Sequence, residues 1–251
     1  METPMELTIT GAEVVDGTGS AARRCDVHVR DGRVAAMAPG LEPRGEHVVA
    51  DGLTLVPGFV DMHVHADLDH VSGVHAAASL AQGVTTRVIG QDGIGYAPLD
   101  DAALVQVRRQ IRGWNGDLPE ISWRTMAEYL AVLDRGGSTH AAVLAPQGNL
   151  RLLTVGSADR PATGAERASM RALLAESLAA GAVGMSSGLT YAPGMYADTE
   201  ELIDLARVVA DAGASGARTR VATGRARWSR TRRRSRSDGA AAAGSTSRTR
   251  R

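Results

Sequence analysis

The sequence contains no lysine: all 28 of its basic residues are arginine. It has a single cysteine, Cys25, which excludes an internal disulfide and is typical of a reducing compartment, so we expect a cytoplasmic protein. No run of about 18 apolar residues occurs, which argues against a membrane-spanning helix. The amino terminus lacks the basic and apolar regions of a secretory signal. Hydrophobic residues make up 43% of the chain, which is sufficient for a globular core.

The net charge of zero is the sum of two segments whose charges are opposite in sign. Residues 215–251 contain 12 arginines and one acid, Asp238, whereas residues 1–214 contain 16 arginines and 27 acids. The basic segment has only Val221 and Trp228 as sizeable apolar residues, so we expect it to be disordered. One explanation is a native arm that binds nucleic acid or an acidic partner. The acidic body and the single aromatic residue of the arm make nucleic acid the less favoured partner.

The other explanation for the basic segment is a reading-frame slip in a GC-rich gene. Out-of-frame codons of such a gene yield Arg, Ala, Gly, Ser and Thr, and the absence of lysine is itself typical of high GC content. Codons can be chosen for residues 225–233 such that the same DNA, read from a start two bases later, encodes the helix-like sequence Arg-Ala-Leu-Glu-Pro-Tyr-Ala-Glu. We favour the slip, and we expect the DNA after codon 214 to encode a further strand and the second half of a fold in another frame.

The residue pattern predicts an α/β chain with two parts before the basic segment. Residues 1–56 form the first part, a small β domain, in which Asp31-Gly32 between two alternating segments is a type I′ hairpin signal. Residues 57–214 form the second part, in which an apolar strand, a polar loop and a helix repeat about four times. Strands are predicted at 84–89, 141–145 and 182–185, and helix caps at Thr125, Thr163 and Asp198.

Two histidines end the apolar stretch at 56–67. His63 and His65 are spaced i, i+2 at the carboxyl end of a predicted buried strand, where alternation places both side chains on one face. Imidazole is a ligand for Zn, Fe, Ni and Cu, so this pair predicts half of a divalent-metal site. Two ordinary strand histidines are the alternative, and the preceding Pro-Gly-Phe-Val-Asp favours the metal site.

Several stretches together resemble the metal-dependent amidohydrolase superfamily, and within it the N-acyl-D-amino-acid deacylases (D-aminoacylases). The matching stretches, which fall between about residue 6 and residue 214, are 56–67, 83–86, 90–98, 109–116 and 184–194. The resemblance implies a (β/α)8 barrel, of which 57–214 supply the first half, preceded by part of a β-sandwich. It also implies hydrolysis of the amide bond of a small N-acyl amino acid by metal-activated water, with zinc as the expected metal. A cyclic-amide hydrolase of the dihydropyrimidinase or hydantoinase type is the alternative.

The resemblance also implies roles for particular residues. His63 and His65 match the ligand pair of the first barrel strand. Asp92 occupies a position where D-aminoacylases commonly carry a metal-ligating cysteine, and we predict it as a third ligand, although an Asp that turns the chain before a Gly explains it equally well. Asp67 is interpreted as an exposed loop acid in preference to a carboxylate that orients a histidine.

Three further residues are predicted to bind the substrate, because they follow the third and fourth predicted strands: Gln147, Ser187 and Tyr191. The catalytic residue is unknown, since the family places its general acid/base aspartate on the last barrel strand and this sequence has no counterpart. We therefore expect little or no turnover from the 251 residues by themselves, and low stability. Assembly with a further copy or a complementing fragment is an alternative that the sequence leaves open.

Overall fold

A computed structural model describes residues 5–72, 76–115, 120–137 and 139–213. The chain divides into two compact units, with the boundary between residues 59 and 60. The basic segment 215–251, for which we expected disorder, lies outside the described residues. Within the described ranges, no helix combines the length and the apolar character that crossing a bilayer requires.

The first unit consists of short strands in two sheets. Its strands are β1 (Glu6–Thr10), β2 (Glu13–Val14), β3 (Arg23–Arg24), β4 (Asp26–Arg30), β5 (Arg33–Ala38), β6 (Glu46–Val49) and β7 (Thr54–Leu55). One sheet has the order β5-β4-β1-β6 and the other the order β3-β2-β7. Asp31 and Gly32 connect β4 to β5 with φ values of 51° and 72°, so the predicted hairpin turn is confirmed.

A small apolar cluster lies inside the first unit. Its buried members are Ala12, Val14, Cys25, Val27 and Ala50. Cys25 is a free cysteine with 3% of its surface exposed, so it contributes to packing as a small apolar side chain.

The second unit contains one sheet with helices between successive strands. The strands are β8 (Phe59–Asp61), β9 (Val84–Ile89), β10 (His140–Pro146) and β11 (Gly184–Ser186), and they lie in sequential order across the sheet. The pairs β9/β10 and β10/β11 are parallel. The prediction for β9 is confirmed at both ends, β10 extends one residue further in each direction than predicted, and β11 begins two residues later.

The prediction that the histidines end a buried strand is wrong in two respects. β8 ends at Asp61, so His63 and His65 lie in the segment that follows it. β8 is also the edge strand of the described sheet, and Phe59 and Val60 remain 55% and 50% exposed. An edge strand has a neighbour on one side only, and its side chains are covered less completely than those of a central strand.

Three helices of the second unit begin where the sequence places caps. They are α1 (Asp69–Ser72), α2 (Ala76–Leu80), α3 (Asp101–Asn115), α4 (Met126–Leu133), α5 (Gln147–Thr154), α6 (Gly164–Ala179) and α7 (Thr199–Asp211), with 3-10 turns at Gln91–Gly93 and Gly194–Tyr196. Thr125 and Thr163 both form complete capping boxes, and the Asp198 side chain accepts a hydrogen bond from the Glu201 N–H. These three cap predictions are confirmed.

Helix α5 has no counterpart in the sequence prediction, because it starts directly after β10 and contains Gly148 and Asn149, which are weak helix formers. Its stability comes from tertiary contacts. Gln147 and Arg151 lie one turn apart, and both donate hydrogen bonds to the buried carboxylate of Glu201 on α7. The helix therefore packs among the other helices around the apolar core, whose fully buried members include Leu68, Ile89, Leu150, Met170, Leu174, Met185 and Leu205.

Candidate metal centre

His63, His65 and Asp92 converge beyond the carboxyl ends of β8 and β9. The Nε2 atoms of His63 and His65 lie 3.6 Å and 3.4 Å from Oδ2 of Asp92. One ligand atom from each of the three residues lies within 4.8 Å of the others. The imidazole rings of His63 and His65 meet edge to face, with centroids 5.5 Å apart. The sequence separates Asp92 from the histidines by nearly thirty residues, and the neighbouring positions of β8 and β9 in the sheet bring them together.

This donor set fits a divalent cation. Two donors about 2.1 Å from a tetrahedral metal lie roughly 3.4 Å apart, which matches both distances to Asp92. Two imidazoles and a carboxylate are ligands for Zn²⁺ and for other first-row divalent ions. Nδ1 of His63 is buried and has no hydrogen-bond partner among the described residues. Nε2 of each histidine lies at a distance from Oδ2 of Asp92 that fits a shared cation.

A left-handed turn at 90–93, hereafter the Asp92 turn, presents the carboxylate. Gly90, Asp92 and Gly93 all have positive φ, with values of 74°, 55° and 73°. Glycine adopts this conformation without strain, and aspartate is among the few other residues that tolerate it. Asp92 is only 8% exposed, so the turn directs its carboxylate inward to the histidines.

Ser186 at the end of β11 fixes the Asp92 turn. Its hydroxyl donates a hydrogen bond to the carbonyl oxygen of Gly90 and accepts one from the Gly93 N–H at 3.0 Å. Gly188 packs against the same turn so closely that a Cβ at this position would overlap the carbonyl oxygen of Asp92. The chain after β11 therefore determines the position of a carboxylate that follows β9.

Two side chains tie the Asp92 turn to residues 62–67, hereafter the His-x-His segment. The Gln91 amide nitrogen donates to the carbonyl oxygen of Met62 at 2.9 Å and to that of Val88 at 2.9 Å. In the opposite direction, Oδ1 of Asp67 accepts a hydrogen bond from the Gly90 N–H at 3.0 Å. The two ligand-bearing segments are thus cross-linked on both sides of the candidate site.

The interpretation of Asp67 as an exposed loop acid is wrong. It is 2% exposed, and its main-chain carbonyl accepts a hydrogen bond from the Tyr129 hydroxyl at 2.7 Å. Burial raises the pKa of the Asp67 carboxyl to about 7, and the hydrogen bond from Gly90 opposes part of that rise. The sequence did contain a signal for the burial of Asp67. This residue continues the i, i+2 spacing of His63 and His65, and residues at i, i+2 and i+4 lie on one face of an extended chain.

Burial also keeps His65 in the form that binds metals. Desolvation lowers the pKa of the His65 imidazole, and the neighbouring His63 lowers it further, whereas the Asp92 carboxylate acts in the opposite direction. The net direction is downward, so the neutral ring is favoured at neutral pH. Neutral imidazole is the form that donates a lone pair to a metal.

The three residues predicted to bind substrate occupy different environments. Tyr191 is 36% exposed and lines a cleft that also includes Asp92, Gln110 and Leu152. Gln147 is fully buried and donates to Glu201 at 2.7 Å. Ser187 is also fully buried, and its hydroxyl has no hydrogen-bond partner among the described residues. Their role in substrate binding stays a prediction, and Tyr191 is the one that combines an exposed surface with a place beside Asp92.

Trp114, in the last turn of α3, is a site residue that the sequence did not reveal. Its indole stacks on the His65 imidazole with ring centroids 4.2 Å apart and an angle of 25° between the planes. The two residues are far apart in the sequence, and no local pattern in α3 indicates this contact. Only the stretch Arg-Gly-Trp-Asn-Gly, which contributes to the family resemblance, marked the position as notable.

Residues 47–241 match the amidohydrolase family. The match extends beyond residue 214, where we had placed the end of the resemblance. Among sequence relatives, N-acyl-D-aspartate deacylase of Alcaligenes xylosoxydans xylosoxydans is 38% identical over 205 residues, which are 80% of this chain and 40% of that protein. D-aminoacylase of the same organism is 33% identical over 210 residues, covering 81% of this chain and 42% of that protein.

A solved structure with the same fold contains a metal. It is the crystal structure of N-acyl-D-glutamate deacylase from Bordetella bronchiseptica, in complex with zinc and a phosphonate inhibitor that mimics the tetrahedral intermediate. That protein is 36% identical, superposes with a TM-score of 0.71, and is matched over 83% of this chain and 44% of its own. The present chain therefore spans less than half the length of the relatives that it matches.

Proposed function

This chain belongs to the amidohydrolase family, and from that premise we propose that it serves metal-dependent hydrolysis of the amide bond in small N-acyl amino acids, as an N-acyl-D-amino-acid deacylase. The observation that carries this proposal is the convergence of His63, His65 and Asp92 beyond the carboxyl ends of the neighbouring strands β8 and β9. Barrel enzymes build their active sites at that end of the sheet. The names of the three relatives described above, two N-acyl-D-amino-acid deacylases and a D-aminoacylase, support the reaction class.

The fold is part of the same proposal. The sequential sheet β8-β9-β10-β11, with helices between its strands, corresponds to the first half of a (β/α)8 barrel. We propose that the two small sheets of the first unit form part of a β-sandwich, as the family resemblance implies. We assign residues 1–56 to the sandwich segment and residues 57–214 to the barrel segment.

Each side chain of the site has a role in this scheme. His63, His65 and Asp92 hold a divalent cation, for which we propose zinc. When bound, such a cation supplies Lewis acidity, which polarises an amide carbonyl and makes water more acidic. Tyr191 lies near Asp92 and contacts the substrate there, and substrate binding by the buried Gln147 and Ser187 is part of the same proposal. We assign no described residue as the general acid/base.

Hydrolysis of a cyclic amide is the less favoured alternative. The two sequence relatives named above, an N-acyl-D-aspartate deacylase and a D-aminoacylase, are 38% and 33% identical over about four fifths of this chain. Assay of the chain with an N-acyl-D-amino acid and with a hydantoin in parallel separates the two reactions. We expect any metal-dependent product to come from the N-acyl amino acid.

Metal binding by the purified full-length chain tests the proposed centre directly. The chain is loaded with Zn²⁺, dialysed and measured for metal content, next to the variants His63→Ala, His65→Ala and Asp92→Ala. The exposed His47, which lies in the first unit, gives the matched control His47→Ala. We expect bound zinc in the wild-type chain and in the control, and loss of that zinc in the three site variants. Zinc content that survives removal of both site histidines would contradict the proposal.

A further inference from the structure

The ring of His65 is held from three directions by side chains of the second unit. Asp92 lies 3.4 Å from its Nε2, His63 meets it edge to face, and Trp114 covers one face of the imidazole. Asp92 and His63 are proposed ligands of the same metal ion, so their contacts orient the His65 ring toward that ion. Trp114 carries no metal-binding atom and restrains the ring in a different way.

A stacked indole fixes the plane of the imidazole and leaves both ring nitrogens free. The lone pair of a metal-binding imidazole lies in the ring plane, so the plane must contain the direction to the metal. Ligand histidines are commonly oriented by a hydrogen bond from the second ring nitrogen to a carboxylate or a carbonyl group. Stacking with centroids 4.2 Å apart can provide the same restraint through contact between faces.

Trp114 is suited to this task because it sits on a rigid element that is tied to the same part of the unit. It lies in the last turn of the fifteen-residue helix α3. Gln110, one turn earlier on the same face, donates a hydrogen bond from its side chain to the carbonyl oxygen of Ala192 at 2.6 Å. The end of the helix is thereby attached to the chain that follows β11, next to the cleft that contains Asp92.

The exposure of Trp114 does not suggest a role in core packing. Its side chain is 47% exposed, whereas Trp123, the other described tryptophan, is 4% exposed and stacks on Tyr129 in the core. An indole that is half open to solvent contributes only part of the burial free energy of a core tryptophan. Contact with a candidate metal ligand is its distinguishing feature.

We propose that Trp114 is a positioning residue of the metal centre: its indole holds the plane of the His65 ring so that Nε2 faces the ion beside Asp92. The inference rests on the proposed metal centre. It concerns metal affinity, and it predicts that removal of the indole weakens binding without unfolding the chain. Groups that orient ligands typically change metal affinity by about 10- to 100-fold when they are removed.

The test compares Zn²⁺ affinity of the full-length wild-type chain with that of Trp114→Leu, Trp114→Phe and Trp123→Phe, by competition with a chelating dye. We expect Trp114→Leu to weaken zinc binding by about 10-fold. Trp114→Phe keeps an aromatic face, and we expect it to restore most of that loss. Trp123→Phe, the matched control, removes the hydrogen bond from Nε1 to the Tyr96 carbonyl, so it lowers stability but leaves zinc affinity unchanged.

A second measurement needs no metal. In the metal-free chain the indole ring current shifts the ring-proton NMR signals of His65 upfield, and Trp114→Leu removes this shift, whereas Trp123→Phe leaves it in place. Equal zinc affinity of wild type and a folded Trp114→Leu would overturn the positioning role alone. Absence of zinc binding by the wild-type chain would overturn the proposed metal centre, and the positioning role with it.

Discussion

The side-chain carboxyl of Asp67 accepts a hydrogen bond from the main-chain N–H of Gly90 at 3.0 Å, across the gap between the His-x-His segment and the Asp92 turn. Gln91 makes the reverse connection to the carbonyl oxygen of Met62. The distance between the histidines and Asp92 is therefore set by residues that are not ligands themselves. Such outer contacts determine how well a metal site is preorganised.

Removal of the Asp67 acceptor should destabilise the second unit. In Asp67→Ala the N–H of Gly90 stays buried without a partner, at a cost of about 2 kcal/mol in the free energy of unfolding. Zinc affinity should fall as well, by about 10-fold. Asp67→Asn keeps an oxygen acceptor of the same shape and should retain most of both quantities. Urea unfolding and zinc competition measure them, and equal behaviour of the Ala and Asn variants would argue against the hydrogen bond.

Gln91→Met should loosen the His-x-His segment while preserving side-chain volume. The substitution removes the donor to Met62 and Val88 and leaves two carbonyl groups without that partner. We expect a loss of about 2 kcal/mol in stability. The exposed Gln82, whose amide donates to the Ala78 carbonyl, gives the control Gln82→Met, for which we expect a change below about 0.5 kcal/mol. Similar unfolding midpoints for the two variants would be inconsistent with this account.

The ion pair between Arg151 and Glu201 is fully buried, with both side chains at 0% exposure. Arg151→Met leaves the Glu201 carboxylate in the core without its cation, which should cost about 3–5 kcal/mol. Arg160→Met breaks the exposed pair of Arg160 with Glu166 and should cost at most about 1 kcal/mol. The double variant Arg151→Met, Glu201→Leu should recover part of the loss, because no unpaired charge remains. Chemical unfolding of the three variants tests the order.

The carboxyl group of Glu166 should make the folding stability of the chain depend on pH. Hydrogen bonds from the Arg160 guanidinium and the Thr163 N–H lower the pKa of the Glu166 carboxyl to about 2. A carboxyl with a lowered pKa stabilises the folded state above its unfolded pKa, and this contribution is lost as the pH falls through the folded value. Glu166→Gln keeps the capping box but not the charge. The stability difference between wild type and Glu166→Gln should therefore shrink between pH 6 and about pH 2. A difference that stays constant over this range would contradict the assignment.

Local structure could be predicted wherever neighbouring residues decide it. The hairpin turn at Asp31-Gly32 follows from which residues tolerate positive φ, and the starts of α4, α6 and α7 follow from side chains that cap the first turn. The strand Val84–Ile89 is rich in β-branched residues and is flanked by glycines on both sides. The paired histidines and four further matching stretches also identified the family, and the sequence named all three residues of the candidate metal site, His63, His65 and Asp92.

Tertiary structure decided the rest. Sequence reasoning left Asp92 open between a ligand and a turn residue; the structure shows the turn residue and also places its carboxylate beside the histidines, because a left-handed turn held by Ser186 directs it there. It placed Asp67 in solvent, and it gave no sign that Trp114 covers His65. These contacts join residues from twenty to nearly one hundred positions apart. Periodicity and capping report the interactions of a residue with its chain neighbours, whereas the order and packing of the strands determine which distant side chains share a site.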